Sequence, residues 1–430
     1  MIFSECERKV RELQRDALRG KKILILISGH LAMQPRAIKE AKLLREAGAH
    51  VIIRGTWWSP TMADEDLTLA REMAVDFAPV VDMRRGQIGA IRVRLRQRLA
   101  RECFTRLGWV SPLAFGLGAH EFLREARLLN ADLTIVCSEP GLWVGKKLID
   151  EGRRVGVDFL DWFSQDLLPA DRNARPVVAM QTLERYLLER AACCLTTSKV
   201  LSEALAQDAA TTRRPVVVPN CFPAFVRQTV LRVARDSETA GVVCFHWFSQ
   251  TIGPGRGLES LAKALSLLRG DWRLTLRGNL SGYQTWFANA FPASVRGRIN
   301  LLAPVLNADL LAHTMANDVG LALEVPYCDN KNLTASNKIF EYLRAGLAVI
   351  ATRTRGQEEV MQACPNAGML VEPDDPVSLG HAMQMMLDDA DYRESCRRFS
   401  LEAGGSVWSW ETHAPKLLNA IAGAIESPLQ

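Results

Sequence analysis

Residues Leu333–Val360 read LTASNKIFEYLRAGLAVIATRTRGQEEV. Thr334 and Ser336 are N-cap residue types standing just ahead of a helix expected over Asn337–Ala345. Gly346 is placed to end that helix. A buried strand follows at once, Leu347–Thr352, and then a turn around Gly356. The start of such a helix offers backbone N–H groups and the positive end of a helix dipole, which together make a seat for phosphate. Lys338 sits near that start. Glu341 lies one turn inside, where a carboxylate can accept hydrogen bonds from two vicinal ribose hydroxyls. A plainly capped helix with a solvated Glu341 is the alternative reading of the same residues.

Working outward, apolar runs alternate with helical patterns along the whole chain. Lys22–Ser28, His50–Arg54, Ala131–Cys137, Arg154–Phe159, Ala192–Thr197 and Pro215–Val218 read as strands, with an amphipathic helix over Pro35–Ala47. Leu231–Gly241 is polar and reads as a linker. The pattern then restarts with strands at Val242–Phe245, Arg273–Arg277, Asp318–Leu323 and Leu347–Thr352, a helix over Gly257–Leu268, and a terminal helix within Ser406–Ile425. The strands are short and apolar without strict polar alternation, which suits parallel sheets covered by helices on both faces. The expectation is an α/β chain with two doubly wound sheets facing a cleft, ligands lying beyond the carboxyl ends of the strands.

Composition agrees with a globular, two-domain chain. The 430 residues are 48% hydrophobic and 23% charged. Apolar runs such as Ile23–Ile27 are far too short to span a bilayer, and the N-terminal MIFSECERKVRELQRD carries charge where a signal peptide needs apolar residues. A cytoplasmic protein is expected. The ten cysteines are scattered, Cys244 and His246 lack a second pair, and none of the seven histidines pairs with another at helical spacing, so no metal is expected. The net charge of +5 is uneven: residues 1–236 hold 37 Lys and Arg against 28 Asp and Glu, and the remainder 16 against 20. A basic first half and a slightly acidic second half imply different partners.

A second informative stretch is Phe245–Leu258, FHWFSQTIGPGRGL, between a strand and a helix. Gly253, Gly255 and Gly257 let backbone approach a ligand, and Arg256 can bridge two phosphate oxygens. It matches neither G-x-x-x-x-G-K-[ST] nor G-x-G-x-x-G in register, and a plain strand-to-helix turn is its simplest interpretation.

Taken together, PGRGLESLAKAL and NKIFEYLRAGLAVIAT resemble the C-terminal half of family 4 glycosyltransferases, retaining enzymes with the two-domain GT-B fold. Leu274–Asn279, Asn317–Glu324 and Val216–Pro223 are similar to further family segments, and Cys137–Glu139 and Val157–Asp166 resemble its acceptor-domain motifs. The resemblance implies a GT-B chain: a Rossmann-like acceptor domain over 1–236, a Rossmann-like nucleotide-sugar donor domain over 237–405, and a C-terminal helix, 406–430, crossing back to the N-terminal domain. It implies that Arg256 contacts the donor diphosphate, that Thr334, Ala335, Ser336 and Asn337 present backbone N–H groups to the phosphates, and that Glu341 holds the ribose. Thr251, Gly255, Arg277 and Lys338 join this donor set, with Pro304 and Val305 near the base. Three positions depart from the family pattern. Leu333 stands where the first of two glutamates falls, Gln250 where a basic residue falls, and Leu160 where a histidine falls in DFLD. Asp161, Glu139, Glu324 and Asp329 are candidates to take over sugar contacts, Asp161 beside Arg256 as a catalytic residue.

On the acceptor side, SGHLAMQPR (Ser28–Arg36) follows the first strand, and Gly29, His30 and Arg36 could face a phosphate or sugar hydroxyl; a solvated loop is the alternative. Arg84–Trp109 holds eight arginines and one acid, Glu102, interleaved with apolar residues. This suits an anionic membrane surface, placing the protein peripherally on the inner face of the plasma membrane, with a solvated helix as the alternative. Nucleic acid is not an expected partner, since no aromatic–basic platform accompanies the charge. The expected function is transfer of a sugar, with retention, from a UDP-, GDP- or ADP-linked donor to a glycan or lipid-linked acceptor in bacterial surface-polysaccharide or glycoconjugate synthesis, with no cofactor and no metal. The alternatives are a catalytically weak or inactive sugar- or lipid-binding protein on the same fold, and a nucleotide-sugar epimerase.

Overall fold

The computed structural model describes residues 18–84, 88–168, 172–224 and 241–427. Its contacts divide the chain into two compact units. One comprises residues up to Thr197, Leu201–Val218 and the chain from Ala414 onward; the other comprises Ser198–Val200 and Pro219–His413. Most of the segment read as a linker, 231–240, lies outside the described residues.

The first unit is built on seven strands: β1 (Lys22–Leu26), β2 (His50–Trp57), β3 (Asp76–Asp82), β4 (Leu133–Val136), β5 (Val155–Phe159), β6 (Cys193–Thr196) and β7 (Val216–Val217). Their order is β3-β2-β1-β4-β5-β6-β7, and all neighbours run parallel. The second unit has six: β8 (Val243–Thr251), β9 (Trp272–Asn279), β10 (Ile299–Leu302), β11 (Val319–Ala322), β12 (Ala348–Thr352) and β13 (Gly368–Val371). Their order is β10-β9-β8-β11-β12-β13, again all parallel. Both sheets are therefore doubly wound, as expected.

The reason lies in the strands themselves. Every residue of β4, β5, β11 and β12 is buried. Alternate side chains of one strand serve opposite layers. On β12, Ala348 and Ile350 join the cluster of Phe245, Trp247, Leu274 and Leu276, while Val349 and Ala351 join that of Ile339, Tyr342 and Leu343.

Several elements differ from expectation. β2 and β8 run past their expected ends. The stretch around Gly356 is no turn but a helix, Arg355–Gln362, whose N-cap Thr354 accepts from the Gln357 N–H. The expected terminal segment holds a helix over Trp410–Glu426, preceded by a separate helix, Ala390–Gly405. No helix among the described residues is long and apolar enough to cross a membrane.

Candidate functional site

In the second sheet, β8 lies between β9 and β11, so chain connections leave in opposite directions on either side of it. The crevice beyond the carboxyl ends of β8 and β11 is the topological switch point, where doubly wound sheets take ligands. The turn after β8 is shaped for it. Gly257 has φ +75°, and a Cβ there would come 2.7 Å from both the Cβ and the carbonyl oxygen of Leu323, just past β11. Only glycine lets the turn lie this close to β11. Gly255, also at positive φ, donates its N–H to Glu259 Oε1 at 2.9 Å, tying the turn to the first turn of the helix Leu258–Leu265. Arg256 is exposed at the tip, its Nη1 3.1 Å from Ser249 Oγ. Thr251, half-buried, ends β8 opposite Asn279 after a register shift.

The helix Asn337–Ala345 forms to the residue as read, and Gly346 caps it at φ +69°. Ser336 Oγ accepts from the Lys338 N–H at 3.3 Å, and Asn337 Oδ1 accepts from Asn220 Nδ2 at 2.8 Å. Thr334 differs from its expected part: its N–H and its Oγ1 both donate to the Asn330 carbonyl, at 2.9 and 2.7 Å, so these donors are engaged in the preceding turn. Lys338 Nζ meets Glu324 Oε1 at 2.6 Å and lies over the Trp247 ring at 5.5 Å. Burial alone would push Glu324 up; the Lys338 ammonium, with hydrogen bonds from Lys338 and Ser336, outweighs it and holds the carboxyl at about 2. Lys338 thus has a carboxylate partner at hydrogen-bond distance, whereas Arg256 meets the neutral Ser249 hydroxyl. Glu341 is not solvated; it is 1% exposed, with Arg344 Nη1 3.5 Å from its Oε2. Leu333 is core, 4% exposed. Gly356 packs directly against this turn, since a Cβ there would lie 2.4 Å from the Thr334 carbonyl.

Deeper in the same unit, Arg277 is buried, and burial lowers its proton affinity. Its Nη1 donates to the Ala303 carbonyl at 2.8 Å, which anchors the start of the segment holding exposed Pro304 and half-buried Val305. His246, on β8, is fully buried; burial first, then Arg277, pulls it down to about 3, so the ring is neutral at ordinary pH. It stacks on Phe248 and meets Tyr342 edge-on. Gln250 is exposed beside the turn.

The switch point of the first sheet, between β1 and β4, is built differently. His30 is fully buried: its Nδ1 lies 2.8 Å from Asp66 Oδ2, and its Nε2 accepts from the Trp58 and Ser59 N–H groups at 3.0 and 3.1 Å. Asp66 also accepts from the Ala32 N–H and from Trp57 Nε1. The expected outward reach of His30 is replaced by this internal clasp, which engages both ring nitrogens. Arg36 likewise turns inward, donating to Glu40 at 2.6 Å, to Asp158 at 3.0 Å and to the Val218 carbonyl at 2.5 Å. Burial, with the Asp158 charge, raises Glu40 to about 8 against the pull of Arg36. Gly29 has φ +123°, and the half-exposed Trp58 ring covers it. Glu139 opens the helix Glu139–Asp150 and pairs with Arg175. Asp161 and Leu160 are half-buried beyond β5. Asp66, Glu40 and Asp158 were not singled out, and no local spacing announces them, because their partners lie 36, 4 and 122 residues away on other elements or within a helix that looks ordinary.

Among the described residues no group of three or more His, Cys, Asp and Glu is placed to hold a metal ion. Residues 247–389, which contain Leu333–Val360 and all but the first two residues of Phe245–Leu258, match the family model described as glycosyl transferases group 1. No curated protein matches the chain by sequence. Solved structures do match along nearly all of it. Anabaena HepE, in complex with UDP and glucose, aligns with a TM-score of 0.67 at 16% identity, covering 94% of this chain and 99% of its own. Sucrose-phosphate synthase from Thermosynechococcus elongatus aligns at 0.66 and 15%, covering 92% and 97%. A Listeria monocytogenes protein described as a putative UDP-N-acetylglucosamine 2-epimerase aligns at 0.59 and 14%, covering 94% and 96%. At such identities the likeness establishes the fold, which is GT-B. The chain thus combines the two-domain GT-B fold with a region, residues 247–389, that matches group 1 glycosyl transferases.

Proposed function

We propose that this protein is a retaining glycosyltransferase of family 4 type that takes its donor, a nucleoside diphosphate sugar, at the β8/β11 switch point. One observation carries the reading: the Gly257 turn, held against Leu323, presents exposed Arg256 at the same strand ends that Ser336 and its helix overlook. The family match over 247–389 supports it. The HepE structures, titled with UDP and glucose and with UDP-glucose, make a UDP-linked donor the first to try, with GDP and ADP sugars beside it.

The chemistry asks for stabilisation of a leaving diphosphate while positive charge develops on the sugar. Arg256 and the N–H groups at the start of the Asn337 helix supply this electrostatically. The bond from the anomeric carbon to the phosphate oxygen breaks. The acceptor oxygen bonds to that carbon on the same face, and its proton passes to the departing phosphate oxygen. No separate side-chain base is needed in that scheme. Glu341 holds the ribose hydroxyls, and Asp161 and Glu139 contribute on the acceptor side, where a glycan or lipid-linked hydroxyl is the acceptor. The setting is cytoplasmic synthesis of bacterial surface polysaccharide or glycoconjugate.

A second reading is favoured by one observation. The position where the family pattern has its first glutamate is Leu333, packed in the core, which suits a sugar-binding protein without transfer activity. A donor panel read by released nucleotide, with isothermal titration of UDP, GDP and ADP, tests both. Binding with turnover supports the transferase. Binding with neither transfer nor hydrolysis supports the second reading, epimer formation without an acceptor indicates an epimerase, and three flat titrations overturn all three.

A further inference from the structure

The helix Ile88–Leu107 in the first unit buries one face and displays another that nothing in the unit covers. At about 3.6 residues per turn, positions 90, 93, 97, 100 and 104 share a side. Ala90 and Ala100 are buried there, and Val93 packs with Val81 and Met83. Ile91, Leu95 and Leu99 lie on the opposite side, spaced four apart, and are 70%, 57% and 55% exposed. Arginines border this apolar stripe on both flanks: Arg92 and Arg96 on one, Arg94, Arg98 and Arg101 on the other. Six arginines against Glu102 leave the helix at +5. Leu107, its last residue, and Trp109, just past its end, are 76% and 67% exposed.

We propose that this face lies on an anionic lipid bilayer, with Ile91, Leu95 and Leu99 entering the headgroup boundary and the flanking arginines meeting lipid phosphates. The order of residues around the helix decides for this occupant. An interfacial helix needs an apolar stripe bordered on both sides by cations whose aliphatic stems also bury, and an aromatic at headgroup level. A second copy of this chain would set +5 against +5 along the same contact. A nucleic acid would gain nothing from the three aliphatic side chains at the centre of the face.

The test uses the full chain and sedimentation with vesicles of phosphatidylcholine alone or with one third phosphatidylglycerol. The expected result is at least about tenfold tighter binding to the anionic vesicles, falling severalfold at high salt. Leu95→Gln with Leu99→Gln keeps the charge and removes the apolar stripe. Arg92→Gln with Arg96→Gln keeps the stripe and removes charge. Each pair is expected to weaken vesicle binding about tenfold while leaving the circular-dichroism melt and nucleotide binding unchanged, so the outcome is separable from that of the donor reading. Equal binding to both vesicle types, binding that neither pair affects, a dimer that the leucine pair dissolves without vesicle binding, or retention on RNA alone would each overturn the proposal.

Discussion

At the β1/β4 crevice, Arg36, Glu40 and Asp158 face inward and satisfy one another, and His30 is clasped by Asp66 and two backbone N–H groups. At the β8/β11 crevice, Arg256 stays exposed on a glycine-shaped turn, and the half-buried pair Lys338–Glu324 lies at the helix start nearby. The two sheets share one strand order over six strands, and the first adds β7 at its edge. Topology offers two places for a ligand, and side-chain chemistry decides which is left open to an anion. In the first, charge is consumed in holding loops together. In the second, a guanidinium is left unneutralised by any carboxylate at hydrogen-bond distance among the contacts it makes.

The comparison breaks most easily at His30. His30→Ala removes one partner of Asp66, leaves the Trp58 and Ser59 N–H groups without their acceptor and opens a cavity, and is expected to cost about 3–5 kcal/mol of stability by urea unfolding. Nucleotide affinity of the folded fraction stays unchanged; a variant of wild-type stability would show that the clasp is not structural. Glu324→Gln comes next. The group's ordinary value is 4.5 and the fold holds it at about 2. Its stabilisation is therefore fully present above pH 4.5 and is lost as pH falls toward 2. The variant should be less stable by up to about 3 kcal/mol at pH 7 and converge on the wild type at low pH in melts across that range.

Arg256→Ala sharpens the contrast from the other side. It should weaken UDP binding by about 1.5–3 kcal/mol, the range for a charge-assisted bond, with stability unchanged. Titration beside a thermal melt reads both, and a loss of stability without loss of affinity would place Arg256 in the fold rather than in the site. The smallest effect is at Glu40. Its carboxyl is raised from 4.5 to about 8, so the fold favours the protonated form, and its contribution is present below pH 4.5 and fades as pH rises through 8. Glu40→Gln mimics that form. It should be nearly neutral near pH 5 and gain in relative stability toward pH 8.5, visible as a flatter alkaline limb of the melting curve.

Much of the fold was legible because central strands buried on both faces announce themselves as apolar runs. β1, β4, β5, β11 and β12 are of that kind. The strands that went unread, β3, β10 and β13, are all sheet edges. β3 is interrupted by Pro79, and β10 is only four residues long with polar Asn300 inside it, so neither forms an unbroken apolar run that reads as a strand. The helix Asn337–Ala345 was read to the residue because both of its ends are chemically marked, by Ser336 and by Gly346. The candidate site was legible where it is local, in the turn around Arg256. It was illegible where it is made by distant partners. Nothing near His30 points to Asp66, and nothing near Lys338 shows that Glu324 cancels its charge.

Gly356 ties two parts of the second unit into one. Because its α-carbon hydrogens lie against the Thr334 peptide, the helix that begins at Arg355 and the turn ahead of Ser336 can only shift together. A library that varies this unit can therefore sample exposed Gln250, whereas Leu333 is held by the core. Position 356 has to be left alone, since even one methyl there would press into the Thr334–Ala335 peptide and displace the turn ahead of Ser336.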